Sequence, residues 1–200
     1  MTDKEWDELL RIHTTGRDDT HADTYHYPYE PTPYSVLERL ANSGWLRKAD
    51  HLLDYGCGKG RVSFFLAWQV RCHCFGVEYD PRIIMAAEEN RKTAVSGNRV
   101  QLTEAAAEKY EVPDEADRMY FFNPFSVEIL RKVLAHIRES WYRRQREIRL
   151  FFYYPSEEYV ADLMTEELLN FEDEIDCKDL FPGEDDRERI LIFSISNYSE

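Results

Sequence analysis

Residues 51–70 constrain the fold more than any other stretch. They read as a short apolar run, His51-Leu-Leu-Asp-Tyr55, then the glycine-rich turn Gly56-Cys57-Gly58-Lys59-Gly60, then an apolar helical pattern over 62–70. A run of strand length, a turn that sustains neither strand nor helix, and a run of helix length make a strand–turn–helix unit. The unit recurs. Strand-like runs at 72–78, 99–103, 118–122 and 149–154 alternate with helical patterns at 81–95, 128–146 and 157–169. Pro81 suits the first turn of its helix. Such alternation with apolar strands predicts a doubly wound α/β fold, with a mostly parallel sheet covered on both faces. Two further runs, 171–177 and 190–197, are joined by the acidic turn 182–186 with no helix between them, which predicts an antiparallel hairpin at the C-terminal edge.

The 200 residues suit one core, and no repeat or linker divides residues 34–200. Ahead of them, Trp6, Leu9, Leu10 and His13 fall at helical spacing. The stretch 16–33 is rich in Asp, Thr, Tyr and Pro, and three prolines in 27–33 exclude a regular helix or central strand. Residues 1–33 are therefore expected to form an N-terminal arm. Tyr25, Tyr27, Tyr29 and Tyr34 would serve it either as a lid over the site or as a surface-covering pack. A helical pattern with Val36, Leu37, Leu40 and Ala41 on one side follows, with Gly44 as its stop.

Composition narrows the partners. Acids outnumber bases 39 to 25, a formal charge of −14, which disfavours a phosphate backbone as ligand. Cys72-His73-Cys74 invites a metal reading, but no second ligand pair stands at zinc spacing. Two buried cysteines on one strand face are the better account, and no metal is expected. The opening Met1-Thr-Asp-Lys-Glu-Trp6 lacks a signal-peptide pattern, and no apolar run spans a bilayer. A cytoplasmic, reduced chain without a membrane partner is expected.

The turn itself carries chemistry. Ligands of open α/β sheets bind beyond the carboxyl ends of strands, at turns of this kind. Glycines there reach positive φ and allow close approach. Glu78 ends the next strand about 20 residues on, where an acid can hold ribose hydroxyls. A dinucleotide fingerprint would need its third glycine at position 61, which is Arg61. The P-loop ending Gly-Lys-Ser/Thr is absent, since Gly60 follows Lys59. Asp54, two residues before the first glycine, suits a cationic or amine-bearing ligand better than a pyrophosphate.

Asp54-Tyr55-Gly56-Cys57-Gly58-Lys59-Gly60 resembles the first motif of class I (Rossmann-like) S-adenosylmethionine methyltransferases, and Glu78 in Gly76-Val-Glu-Tyr-Asp-Pro81 resembles that family's ribose-binding acid. The likeness runs over roughly residues 34–155. It implies a seven-stranded sheet of order 3-2-1-4-5-7-6 and S-adenosyl-L-methionine as cofactor. Gly56, Cys57 and Gly58 would lie along the methionine half, Glu78 on the ribose and Tyr79 beside the adenine. Asp54, Tyr55 and Gly60 complete the expected cofactor turn. An acid after the third strand commonly meets the adenine amine, and Glu104 is the candidate, with Ala106 as the alternative register.

Asn123-Pro124-Phe125 ends the fourth strand and resembles the family's fourth motif, which places these three residues at the catalytic position. Proline restricts Asn123 to extended geometry. In amino-group methyltransferases an Asn/Asp-Pro-Pro-aromatic turn holds the target nitrogen; here the second proline is missing. The expected activity is methyl transfer to an unidentified acceptor, most naturally a nitrogen on a small molecule or protein. A nucleic-acid methyltransferase using the seven Arg/Lys residues of 131–149 is one alternative, set against a solvated helix with cations near its C-terminus. A non-catalytic nucleoside-binding module is the other. The acidic stretch 157–188 reads as a solvated face or as a surface for a basic protein.

Overall fold

The computed structural model describes residues 1–16 and 30–195. Its strands are β1 (His51–Tyr55), β2 (His73–Glu78), β3 (Val100–Glu104), β4 (Arg118–Phe121), β5 (Ile148–Tyr153), β6 (Asn170–Asp176) and β7 (Arg189–Ile195). Its helices are α1 (Asp3–Leu10), α2 (Tyr34–Asn42), α3 (Arg61–Gln69), α4 (Pro81–Thr93), α5 (Val127–Arg143) and α6 (Glu157–Thr165). The described strands form one seven-stranded sheet in the order β3-β2-β1-β4-β5-β7-β6. The first five pair in parallel, while β7 runs antiparallel to both β5 and β6. Both the order and the edge hairpin are as the sequence implied.

Local chemistry sets the helix starts. Thr2 and Glu5 form a capping box on α1. Asp80 accepts from the Arg82 N–H at the start of α4, ahead of Pro81. Ser156 accepts from the Tyr159 N–H on α6, which ends at Thr165, short of the expected 169.

Strand alternation sends neighbouring side chains to opposite faces. Leu150 and Phe152 of β5 join a core with Leu130, Val133 and Ile137 of α5. Phe151 and Tyr153 join the opposite core, with Trp6, Leu10, Tyr34, Leu37 and Phe65 from α1, α2 and α3. The expected N-terminal arm thus begins inside the fold: Trp6, Leu10 and Ile12 are buried. Residues 17–29, which carry Tyr25, Tyr27 and Tyr29, lie outside the described residues; Tyr34 is a buried residue of α2.

Cys72 and Cys74 are both buried free thiols, with sulfurs 3.8 Å apart. Among the described residues no group of three or more His, Cys, Asp or Glu is arranged to hold a metal ion, and no helix is long and apolar enough to cross a membrane.

Candidate active site

The glycine turn folds back onto the end of β2. The Gly56 and Cys57 N–H groups both donate to the Val77 carbonyl, at 2.9 and 3.0 Å, and the Gly60 N–H donates to the Cys57 carbonyl at 2.8 Å. Glu78 completes the closure: its Oε2 accepts from the Gly58 N–H at 3.1 Å, and its Oε1 from the N–H groups of Tyr79 and Asp80 at 3.0 and 3.1 Å. Four amides of the loop, those of Gly56, Cys57, Gly58 and Gly60, therefore serve its own shape rather than open space. What the glycines contribute is a missing Cβ at positive φ. Gly56, at φ +70°, lies so close to Pro124 that a Cβ there would stand 2.5 Å from the proline Cβ. Gly60, at φ +89°, lies equally close to the Phe64 ring. The first contact brings the turn after β1 against the turn after β4.

These turns enclose a cavity at the carboxyl ends of β1, β2 and β4. Of the residues singled out in the sequence, Asp54, Tyr55, Gly56, Cys57, Glu78, Tyr79, Asn123, Pro124 and Phe125 line it. Gly58 and Gly60 shape the turn from behind and are not in the lining. Glu104 is exposed at the end of β3 and is also absent from it. The chain after β3 winds into a short 3₁₀ turn, Ala107–Lys109, that brings Glu108 to the cavity. Nothing in Ala105-Ala-Ala107 marks that turn in the sequence. Glu30, Pro31 and Thr32 also line the cavity. Thr32 is buried, hydrogen-bonded to the Tyr120 hydroxyl at 3.1 Å, and accepts from Arg61 through its carbonyl at 3.3 Å.

The cavity is acidic. Asp54 is 2% exposed and accepts from the Ser63 hydroxyl at 3.1 Å. Burial, reinforced by the nearby Glu78 charge, pushes its carboxyl up to about 7. Glu78 is raised as well, by burial, although its three backbone donors favour the ionised form. Burial also raises the Cys57 thiol well above its ordinary value, which keeps it protonated and unreactive. Two buried polar atoms on cavity-lining residues have no hydrogen-bond partner among the described residues: the Tyr55 hydroxyl and Glu108 Oε2. A buried polar group without a partner is costly, so a site of this kind suits a ligand that supplies one.

Asn123 departs from the expected extended geometry, with φ +38° in the left-handed region. The cause is its side chain. The amide donates to the Tyr154 carbonyl, and its Oδ1 accepts from the Ser156 N–H at 3.2 Å. Asparagine tolerates this conformation better than most residues, and the two bonds override the preference imposed by Pro124. Tyr154, itself at φ +51°, is thereby fastened to the end of β4. Neighbouring strained residues are commonly kept at functional sites. Beyond this wall Phe125 packs edge-on to Tyr55 at 6.5 Å, and its carbonyl accepts from the Tyr159 hydroxyl at 2.6 Å.

A doubly wound sheet with one antiparallel edge pair, a glycine turn after β1 and a buried acid ending β2 define the class I methyltransferase architecture. The family described as methyltransferase domain matches residues 52–142, the stretch that holds the glycine turn, Glu78 and Asn123. The fold is shared with a human methyltransferase 10 domain containing protein, at 12% identity over 98% of this chain and 95% of that one, TM-score 0.65. An RNA methyltransferase from Salinibacter ruber, solved with S-adenosyl-L-homocysteine, is 17% identical over 86% of this chain and 97% of that one, TM-score 0.55. A TehB-like S-adenosylmethionine-dependent methyltransferase from Corynebacterium glutamicum is 16% identical over 97% and 95%, TM-score 0.58. No curated protein matches the sequence. Residues 52–142 thus match a methyltransferase domain, and the chain shares its fold with S-adenosylmethionine-dependent methyltransferases.

Proposed function

We propose that the chain methylates a nitrogen on a small molecule or a protein side chain. The observation that carries this reading is the acidic cavity that abuts the Asn123-Pro124-Phe125 turn. S-adenosylmethionine supplies a methyl group already activated on a positive sulfonium, so the protein's task is alignment and exclusion of water. Asp54, Glu78 and Glu108 are three carboxylates on one cavity, a donor-poor set that fits a ligand bearing an ammonium, a ribose diol and an adenine amine. We assign Asp54 to the ammonium end, Glu78 to the ribose, the Tyr79 ring to the adenine face and Glu108 to the adenine amine. Asn123, Pro124 and Phe125 form the wall toward the acceptor.

The nucleic-acid alternative draws little support from the arginine-rich segment. Arg131 pairs with Asp162, and Arg143 with Asp114 and Glu111. Arg146 donates to the carbonyls of Ala116, Ser140 and Arg144, and Arg149 stacks on Trp45. The dense part, 143–149, precedes and opens β5, at the amino ends of the strands and away from the cavity.

Calorimetric titration with S-adenosylhomocysteine tests the cofactor assignment. Glu78→Ala is expected to weaken binding by about tenfold or more, the effect of losing a charge-assisted contact. Equal affinity in the variant, or no binding by the wild type, overturns it. Methyl-labelling of a cell extract tests the acceptor. Label in small molecules or protein supports the reading, whereas label in nuclease-sensitive material, or none, contradicts it. Asn123→Ala is expected to impair turnover of that label more than S-adenosylhomocysteine affinity, because it loosens the wall between strands β4 and β5. A variant with normal turnover and a large loss of cofactor affinity would count against this placement.

A further inference from the structure

The connection from β3 to β4 is built unlike its neighbours. Helices α3, α4 and α5 fill the connections β1–β2, β2–β3 and β4–β5. From β3, at the edge of the sheet, the chain returns past β2 and β1 to reach β4 with only the short 3₁₀ turn Ala107–Lys109 on the way. Most carbonyls of the stretch 105–117 therefore lack a donor from a helix or a ladder, and each buried one needs a donor from elsewhere. This is the stretch that brings Glu108 to the cofactor cavity.

The donors come from α5 and the segment just after it. His136 Nε2 donates to the Glu108 carbonyl at 2.9 Å. Two turns further along the same helix face, the Arg143 guanidinium donates to the Val112 carbonyl at 3.0 Å and to Asp114 at 2.7 Å. Arg146 reaches the carbonyls of Ala116 at 2.8 Å and Pro113 at 3.4 Å. Arginine suits this task, because its fixed fork of donors serves several acceptors at once. Beneath these bonds Ala107, Val112 and Ala116 are buried in the core that α5 covers. Two cations of the segment 131–149, together with His136, thus fasten one stretch of irregular backbone. The Glu108 carbonyl is held in this way, while its side-chain Oε2 is buried with no hydrogen-bond partner among the described residues.

We propose that His136, Arg143 and Arg146 are positioning residues for the cofactor: through the backbone of 108–116 they set where the Glu108 carboxylate stands, and so how strictly the site demands an adenine amine. The proposal rests on the methyltransferase reading, in which Glu108 meets that amine, and adds what holds the carboxylate in place. A carboxylate oxygen accepts a hydrogen bond from an amine and repels a carbonyl oxygen in the same position. A site built to bond one group rejects the analogue that lacks it, provided its own polar groups stay fixed and dry. A loosened turn lets the carboxylate swing out to water, and either base is then tolerated. His136, Arg143 and Arg146 are not in the cavity lining, so their effect passes through Glu108.

The test is calorimetric titration of the full chain with S-adenosylhomocysteine and with S-inosylhomocysteine, whose base carries a carbonyl oxygen in place of the amine. The wild type is expected to prefer the adenine form by about thirtyfold or more, the effect of setting a buried acceptor against another acceptor. His136→Ala and Arg143→Ala, each measured well below its melting temperature, are expected to cut that preference by about threefold or more, as coupled positions do. His136→Gln keeps a donor for the Glu108 carbonyl and should restore most of it. In a Glu108→Ala background, His136→Ala should change the preference no further. Arg138→Ala removes the same charge from an exposed position of α5 and should leave both affinities as in the wild type. A purely structural role would weaken both ligands equally and leave the preference intact. That result overturns the proposal, as does an equal effect of Arg138→Ala, or the absence of a preference in the wild type. Failure of S-adenosylhomocysteine to bind the wild type is a separate result, which removes the cofactor reading and the proposal with it.

Discussion

Asp54 bears the clearest pH signature at the residue scale. Its folded carboxyl is pushed up to about 7 by burial and by Glu78, against an ordinary value of 3.8. The folded chain therefore holds a proton that the unfolded chain has released over this window. Stability from this group is full below about 4 and is lost as the pH rises through about 7. Thermal melts of the ligand-free protein should show that decline, and Asp54→Asn should flatten it and melt higher than the wild type at pH 8. An unchanged slope in the variant would place the titration elsewhere. With Asp54 assigned to the ligand's ammonium, binding favours the ionised carboxylate, so S-adenosylhomocysteine affinity should rise between pH 6 and 8 in the wild type, with proton release on binding, and less so in Asp54→Asn. Asp54, Glu78 and the glycines were legible as a group because a strand, a turn and a helix in sequence bring them together. Glu108 was not, since its arrival depends on how three alanines wind after β3.

At the scale of elements, the first helix is tied to the glycine turn. Arg61 is the first residue of α3 and follows Gly60 directly, yet it is 2% exposed. Its guanidinium donates to Asp3 at 2.6 Å and to the Thr14 hydroxyl at 2.8 Å, and it lies over the Tyr34 ring at 4.3 Å. Asp7 gathers the same group from below, accepting the Tyr34 hydroxyl at 2.5 Å and the Thr14 N–H at 2.7 Å. Asn90 of α4 adds a second tie, donating to the carbonyls of His13 and Lys59. Removing one partner of a buried ion pair leaves the others uncompensated, so Arg61→Ala should destabilise the fold by about 3–5 kcal/mol. Because Arg61 also holds Thr32 at the cavity wall, cofactor affinity measured well below the melting point should fall too. Arg61→Lys should recover part of both. Normal affinity in a correctly folded Arg61→Ala protein would reduce the arginine to a structural role. The helical spacing of Trp6, Leu9 and Leu10 marked α1, but its destination was hidden, because its partners stand at positions 34, 61 and 65.

For the whole molecule, a formal charge of −14 on 200 residues means mutual repulsion across the surface. The edge strand β6 carries Glu172, Asp173 and Glu174, all exposed, which discourages pairing with another chain. Salt screens such repulsion, with a Debye length of about 10 Å at 0.1 M. The melting temperature at pH 8 should therefore rise by several degrees between 0.05 and 0.5 M sodium chloride; a fall would mean that surface ion pairs outweigh the net repulsion. The sequence alone determined the alternation of strands and helices, the hairpin that closes the sheet and the nature of the glycine turn. Each is written in contiguous residues, as a hydrophobic period or a local backbone requirement. Tertiary structure alone decided that the Asn123 amide binds β5 to β4, that the first helix braces Arg61, and that Glu108 rather than Glu104 reaches the cavity. Those outcomes depend on contacts between residues tens of positions apart, and a linear pattern carries no record of which distant partner a side chain will meet.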